Sequence, residues 1–234
     1  MKKVSLVMLM MCGLFSANAQ ETDVVTRFGI KVAPNLSWTR SDTKGLQSEG
    51  STLGYSVGLL AEFPLGPTGN YRFSTGLFLT TIGGKSSHVA LNTDTFNLAV
   101  TNEYSLRFVE LPLTIKMMTN EIGYLRYYGQ IGLNAGINVR ARQDYEQITT
   151  TNGVVRTESD TDIDIKENIR AIRGALVIGG GVEYTFSGQT TALFGITYNN
   201  SIVNLLEKEA LTVPGAERPK LFADYLELTL GVFF

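Results

Sequence analysis

Eight stretches of the sequence alternate apolar and polar residues over about ten positions each, which is the period of a β-strand with one face in an apolar medium. They cover residues 26–38, 52–63, 71–82, 104–118, 124–139, 171–186, 191–203 and 223–234. In the last stretch, Leu226, Leu228 and Leu230 share one face, whereas Glu227 and Thr229 share the other. No stretch shows the stripe of an amphipathic helix, so the pattern predicts an all-β fold.

The connections between these stretches alternate between long and short. Long polar segments follow the first, third, fifth and seventh stretches, namely 39–51, 83–103, 140–170 and 204–222. Short segments follow the others, namely 64–70, 119–123 and 187–190. Outer-membrane barrels combine short periplasmic turns with long extracellular loops in this way. We therefore predict an eight-stranded antiparallel transmembrane β-barrel with both mature termini in the periplasm.

The composition favours a barrel over a bundle of membrane helices. The hydrophobic fraction is 44%, and after the N-terminus no apolar run approaches the ~20 residues that a spanning helix needs. Glycine (24), phenylalanine (12) and tyrosine (10) are frequent; glycine lets strands bend, and aromatic residues form girdles at membrane interfaces. The formal net charge of -2 gives no basis for binding nucleic acid.

Residues 1–19 predict a signal peptide. Two lysines precede an apolar run over 4–15, and a small-residue cleavage pattern ends at Ala19. We expect the mature protein to be one barrel domain over 20–234. Cys12 is the only cysteine and lies inside the signal segment, so the mature chain is expected to lack disulfides.

Charged side chains fall on the strand face opposite the apolar one, which in a barrel is the luminal face. The pattern places nine of them there: Lys31, Glu62, Arg72, Glu110, Lys116, Arg126, Arg173, Glu183 and Glu227. Charges cannot stay unpaired in a narrow space of low dielectric constant, so the near balance of signs predicts a network of ion pairs. An eight-stranded barrel is just wide enough for side chains to fill it. We therefore expect a plugged interior; the functional alternative is a proton or small-ion path through these charges.

Two local features carry further structural predictions. Pro112 removes a hydrogen-bond donor from a strand with neighbours on both sides, so we expect a bulge or kink near it. Asn152-Gly153 is a type I′ turn signal between polar flanks. It predicts a polar hairpin that extends the fifth and sixth strands beyond the membrane.

The stretch 108–116 reads Phe-Val-Glu-Leu-Pro-Leu-Thr-Ile-Lys. It is similar to the aromatic–x–Glu–aliphatic–Pro–aliphatic–x–x–Lys strand of the PorT-like outer-membrane β-barrel family, which is common in Bacteroidetes. The stretches that begin at Phe28, Tyr55, Tyr71 and Gly179 resemble the same family, so the likeness covers nearly all of the mature chain. The resemblance implies an outer-membrane barrel. The namesake members assist protein secretion through the type IX system, so the resemblance also implies a role in secretion. Most such barrels have no assigned activity.

Catalytic and metal-binding patterns are weak. The only histidine, His88, falls in a predicted outer loop near Asp94 and two serines, but neighbours in a flexible loop do not form a triad. Asp160, Asp162 and Asp164 alternate at a spacing that could hold Ca²⁺, but the glycine and terminal glutamate of an EF-hand loop are missing. We therefore predict a non-enzymatic protein without cofactor or metal, with a solvated acidic strand face at this point.

The sequence thus predicts an integral outer-membrane protein with a structural or interaction role, assisting protein secretion or organising the envelope. Its expected partners are outer-membrane lipid, secretion-system proteins and the barrel assembly machinery, whose recognition signal the aromatic Phe234 on an amphipathic strand resembles. Three alternatives stay open. A narrow pore or carrier would give sustained conductance steps in planar bilayers, a lipid-modifying enzyme would release acyl chains, and a soluble periplasmic sandwich would extract without detergent.

Overall fold

The computed structural model describes residues 25–43, 46–92, 96–151, 153–187, 190–207 and 219–234. The predicted signal peptide and Asp94 lie outside these residues. The described chain forms nine strands: β1 (Arg27–Ser41), β2 (Leu46–Pro64), β3 (Tyr71–Asn92), β4 (Phe96–Met118), β5 (Leu125–Thr151), β6 (Val154–Asp164), β7 (Ile172–Ser187), β8 (Thr190–Ser201) and β9 (Leu221–Phe233). A 3₁₀ turn at Lys166–Asn168 lies between β6 and β7. No helix of the described chain is long and apolar enough to span a membrane.

Eight of the strands close into an antiparallel ring. β1, β2, β3, β4, β5, β7, β8 and β9 pair in that order, and β9 pairs back with β1. Strand β6 pairs only with the outer part of β5 and stays outside the ring. A closed ring leaves no strand edge exposed to lipid, where an unpaired backbone group would find no water. The predicted eight-stranded antiparallel barrel is confirmed.

The ring has a short-turn end and a long-hairpin end. At the short-turn end, the segments 65–70, 119–124 and 188–189 join consecutive strands. At the long-hairpin end, β4 continues to 23 residues and β5 to 27 residues, although about 9–11 residues suffice to cross a membrane. The predicted loop 83–103 is therefore wrong in large part, because most of its residues continue β3 and β4, whereas the strand extension predicted within 140–170 is present in β5. Polar residues on both faces hide the two-residue period there.

The predicted polar hairpin exists, but its second strand is an additional one. β5 and β6 pair on either side of the turn at Gly153, whose φ is +79°. The sixth strand of the ring, β7, begins only at Ile172, opposite Ile137 of β5. β3 and β4 continue beside this hairpin, so β6 is the outermost strand of a four-stranded sheet that projects beyond the ring.

A bulge or kink was predicted near Pro112, and the structure has no bulge at Pro112 itself. The register of β4 against β5 runs unbroken through the pair Pro112–Asn134. Against β3 the register is the same on both sides of a gap in the ladder at Leu111 and Pro112. The missing donor thus interrupts pairing on one side without inserting a residue. The nearest bulge lies between Arg107 and Phe108, where β5 contains one residue more than β4.

The outward face of the ring is an apolar belt. Every ring strand exposes at least two-fifths of a large apolar side chain, such as Ile30, Leu59, Leu77, Leu113, Leu133, Leu176, Ile196 and Leu228. Exposed aromatic side chains lie nearer the short turns, among them Tyr71, Tyr124, Tyr127 and Phe186. Such a belt with aromatic residues at its rim matches the acyl chains and interface of a membrane.

Arginine in place of Leu133 is expected to lower the free energy of unfolding by about 2–4 kcal/mol, because a cation in the apolar belt loses its hydration. Urea unfolding in phospholipid vesicles measures the change. The matched control is Ser51→Arg, which places the same side chain on an exposed outward position of β2 beyond the belt and should cost at most about 1 kcal/mol. Equal losses in the two variants would contradict this placement of the membrane.

Candidate functional site

A group of four charged residues, here called the ionic quartet, fills the lumen near the short-turn end. It consists of Arg27, Glu62, Lys116 and Glu183. Lys116 Nζ lies 2.8 Å from Glu62 Oε1 and also pairs with Glu183. Arg27 bridges the same carboxylates at 2.5 Å and 2.8 Å. Two cations therefore neutralise two carboxylates, and the glutamate side chains and Lys116 are only 1% exposed.

Aromatic rings line the quartet. Lys116 Nζ lies 4.1 Å from the ring centre of Tyr128, and the Arg27 guanidinium lies 4.5 Å from that of Phe233. These rings belong to a buried cluster made of Leu60, Phe78, Met118, Tyr128, Leu193 and Phe233. The apolar surroundings exclude water, which strengthens each ion pair and makes the loss of one partner costly.

A second luminal ion pair lies further into the barrel. Lys31 Nζ of β1 is 2.7 Å from Glu227 Oε1 of β9, and it lies 4.3 Å from the ring centre of Phe78. The second oxygen of Glu227 has no hydrogen-bond partner among the described residues. This carboxylate borders a cavity of about 50 Å³ that runs between the charged groups of the lumen. That space suits a few ordered waters and is too small for an organic ligand.

A third charged centre lies around Glu110. Arg173 Nη1 donates to Glu110 Oε1 at 2.7 Å, while Tyr225 Oη and Asn134 Nδ2 donate to Oε2 at 2.8 Å and 2.9 Å. Arg173 also donates to the carbonyl of Ala223 at 3.1 Å. The carboxylate thus has three donors from three other strands, which fixes their side chains relative to one another.

An apolar lid closes the lumen at the long-hairpin end. It consists of Leu46, Ile82, Tyr104, Leu106, Phe108, Ala141, Ile165, Ile169, Leu205, Leu206, Leu221, Ala223 and Tyr225. The segments at Ile169 and Leu206 bridge to each other, and the amide of Leu205 donates to the carbonyl of Leu221 at 2.8 Å. The lid combines residues of predicted strands, such as Ile82 and Phe108, with residues of segments that were predicted to connect strands, such as Ile165 and Leu206.

The structure brings together most of the predicted luminal residues. Lys31, Glu62, Glu110, Lys116, Arg173, Glu183 and Glu227 form the three charged centres. Arg72 is buried at the same end and donates to the carbonyl of Val25 at 3.2 Å. Arg126 differs, because its partly exposed guanidinium pairs with Glu121 of the adjacent turn at 3.1 Å. It lies at the mouth, where the turn carboxylate is nearer than the lumen.

Two sets of luminal contacts were not predicted from the sequence pattern. Arg27 was not among the predicted luminal charges, although it shares a strand face with Lys31, four residues away. Its partners come from β2 and β7, which only ring closure brings together. Tyr225 was assigned to the luminal face, but nothing in the sequence linked its hydroxyl to Glu110.

His88 is not in a flexible loop. It lies in β3 with its side chain only 7% exposed, and its Nδ1 has no hydrogen-bond partner among the described residues. The acidic run differs as well: Asp162 contacts Arg140 and Arg142, and Asp164 contacts Arg142. Arg140 is exposed on the outward face, whereas simple alternation from the luminal Asn138 predicts that it points inward. Within the described residues, no cluster of three His, Cys, Asp or Glu side chains could hold a metal ion.

Methionine in place of Lys116 is expected to lower the free energy of unfolding by about 3–5 kcal/mol, because two buried carboxylates would retain only Arg27. Urea unfolding in vesicles measures the loss. The added substitution Glu183→Gln should recover part of it, since one uncompensated charge disappears. Arg126→Met is the control and should change stability by less than about 1 kcal/mol, because its pair is exposed. Similar losses in both single variants would contradict the quartet.

Burial lowers the pKa of His88 below its ordinary value of about 6.5. The unfolded hairpin therefore binds the proton first as the pH falls, so the stability of this hairpin should be full above about pH 6.5 and should decrease below it. Amide exchange of β3 and β4 residues beyond the ring, expressed as protection factors at pH 8 and pH 5.5, measures the effect. His88→Gln should remove this pH dependence; an undiminished dependence would assign it to another group.

Known proteins resemble this chain in sequence or in fold. The sequence matches the family described as outer membrane protein beta-barrel domain over residues 18–229. No curated protein matches it.

Several solved structures are similar in fold at low sequence identity, including the following three. Neisserial surface protein A has 11% identity and a TM-score of 0.38, covering 88% of this chain and 95% of that chain. OprG from Pseudomonas aeruginosa has 11% identity and a TM-score of 0.37, covering 89% and 94%. The outer membrane protease OmpT from Escherichia coli has 7% identity and a TM-score of 0.29, covering 94% and 99%. Because the family match spans most of the sequence, this chain belongs to the outer membrane protein beta-barrel domain family and is an integral β-barrel protein of the outer membrane.

Proposed function

We propose that this chain is a non-enzymatic interaction protein, in which a filled barrel anchors a projecting sheet that binds an extended segment of a partner protein. The observation that carries the proposal is the free edge of β6. Among the nine described strands, β6 alone has one neighbour, and it projects beyond the ring. Its outer edge therefore presents backbone donors and acceptors that a further strand would satisfy.

The free edge is long and accessible. β6 has 11 residues, and at about 3.3 Å per residue it offers an edge of roughly 36 Å. Ten of its eleven residues are exposed, including Val154 and Val155 at 61% each. Backbone pairing along such an edge supplies affinity, and the alternate side chains supply selectivity.

Charge indicates which segments would bind. Glu158 and Asp160 are exposed on one face of β6, and neither forms an ion pair within the described residues. Glu146 of β5, opposite Ser159, adds a third exposed carboxylate to the same hairpin. Against these, β6 carries a single cation, Arg156. The partner segment is therefore extended and basic, and the same carboxylates discourage uncontrolled edge-to-edge association.

The filled lumen supports an anchoring role over conduction. Three charged centres and the apolar lid occupy the interior, and the cavity between the charged groups measures only about 50 Å³. Side chains that hold several strands together would have to separate before a solute could pass. The narrow pore remains the second candidate, and sustained conductance steps in planar bilayers would favour it.

The orientation and the partner class belong to the same proposal. The asymmetry between short turns and long hairpins supports periplasmic termini, with the projecting sheet outside the cell. The resemblance to PorT-like barrels of Bacteroidetes supports a component of a protein secretion system as the partner. Phe234 is 62% exposed, so it is accessible to the barrel assembly machinery during insertion.

A photo-crosslinker in place of Ser159 is expected to capture a partner protein in intact cells, whereas the same group in place of Ser105 on the outer wall is not. The captured segment, made as a peptide, should protect the amides of β6 from exchange in the purified protein. Glu158→Lys combined with Asp160→Lys should abolish this protection through like-charge repulsion.

Glu167→Lys is the control, because it reverses an exposed charge at the same end of the barrel but outside β6. It should leave both capture and protection unchanged. A captured segment that leaves the β6 amides unprotected, or one that binds the doubly reversed variant equally well, would exclude strand addition at this edge.

A further inference from the structure

We infer that Arg107, Arg140 and Arg142 form a binding site on the outer wall for the phosphate group of a membrane lipid. This inference is independent of the partner proposed for β6. The three side chains border a cavity of about 420 Å³ that also contacts Thr81, Ser105 and Asp162. They come from two neighbouring ring strands and lie on the outward side of the barrel.

The site lies where the apolar belt ends. On β3, β4 and β5, polar residues follow directly after the last apolar side chains of the belt. The pairs are Leu79 and Thr81, Val109 and Arg107, and Val139 and Arg140. Thr81, Arg107 and Arg140 are opposite one another across the three strands. The arginines therefore occupy the first polar row beyond the acyl chains, which is the level of lipid headgroups.

A β-bulge creates the cluster. The register between β4 and β5 shifts between Arg107 and Phe108, so that Val139 is an extra residue in β5. Without this insertion, alternation from Val139 would turn Arg140 and Arg142 toward the lumen. The bulge re-aims both side chains to the outside, next to Arg107. Bulges of this kind redirect side chains at functional positions.

The cluster has an uncompensated cation. Arg107 lies directly opposite Arg140, and like charges in that position destabilise a strand pair. Asp162 contacts Arg140 at 3.4 Å and Arg142 at 3.7 Å, and Asp164 contacts Arg142 at 3.8 Å. Arg107, by contrast, has only the hydroxyl of Thr81 at 3.4 Å and no carboxylate partner among the described residues.

Two further carboxylates border the cavity, and neither forms an ion pair with the three arginines within the described residues. Glu103 pairs with Lys85 at 2.8 Å, and Asp144 accepts the backbone amide of Asp162 at 2.7 Å. An anion that bridges Arg107 and Arg140 would relieve their repulsion. Guanidinium groups bind phosphate oxygens in a bidentate manner, which suits a phosphate monoester or diester.

The apolar side chains below the arginines favour a lipid phosphate over a free phosphate. Ile137 is 61% exposed and Val139 is 42% exposed, immediately beneath the arginines. A lipid would place its acyl chains on these side chains and its phosphate among the guanidinium groups. A free phosphate would gain only the second contact, so the site favours a phosphorylated lipid.

The test measures binding of lipid A to the purified protein in detergent by native mass spectrometry, with diacylglycerol as the lipid without phosphate. We expect bound lipid A and little bound diacylglycerol. Arg107→Gln combined with Arg140→Gln should weaken lipid A binding about tenfold or more, because two charge-assisted contacts are lost. Heat-modifiable gel mobility verifies that the variant remains a folded barrel.

The matched control is Arg156→Gln, which removes an exposed arginine from β6, away from the cavity. It should bind lipid A as the unaltered protein does. Glucosamine phosphate without acyl chains should compete at least about tenfold more weakly than lipid A. Equal binding by the double variant and the control would overturn the site, and equal competition by glucosamine phosphate would overturn the lipid as its ligand.

Discussion

The lumen pairs most of the charges that strand alternation places in it, because an unpaired charge in this apolar interior is costly. Lys116 shows this pairing most clearly, because it is 1% exposed and shares Glu62 and Glu183 with Arg27. These four residues come from β1, β2, β4 and β7, which are remote from each other in sequence. Their neutralisation is complete only when the ring is closed, so the charges favour one strand order and one register.

The interior is therefore a series of layers rather than a passage. The ionic quartet lies near the short turns, the pair of Lys31 and Glu227 follows, and Glu110 with its three donors comes next. The apolar lid covers the other mouth. Each layer ties strands from different parts of the ring, which suits a rigid support for the sheet that projects from it.

How far the sequence predicts this molecule depends on whether one face of a strand is apolar. In β9, Leu226 and Leu228 alternate with Glu227 and Thr229, and the predicted faces are confirmed. Beyond the belt, β3 and β4 carry polar residues on both faces, so their continuation was interpreted as loop, whereas the Asn152-Gly153 turn signal indicated the continuation of β5. Arg140 was assigned to the wrong face because a one-residue bulge reverses alternation, and no residue type marks that bulge. The apolar lid was not predicted for another reason. Its side chains lie far apart in the sequence, and only the closed ring brings them together.

The base of β6 connects the two outward surfaces. Asp162 adopts a φ of 57°, a left-handed conformation that few residues other than glycine occupy, and it lies at the irregular end of the β5–β6 pairing. Its carboxylate contacts Arg140 and Arg142, while its carbonyl accepts from Arg142 at 2.8 Å. The contacts that hold the arginines outward thus also fix the point where β6 leaves the sheet. A phosphate bound among these arginines would compete for the same guanidinium groups, and lipid binding at the proposed site would then be coupled to the position of the free edge.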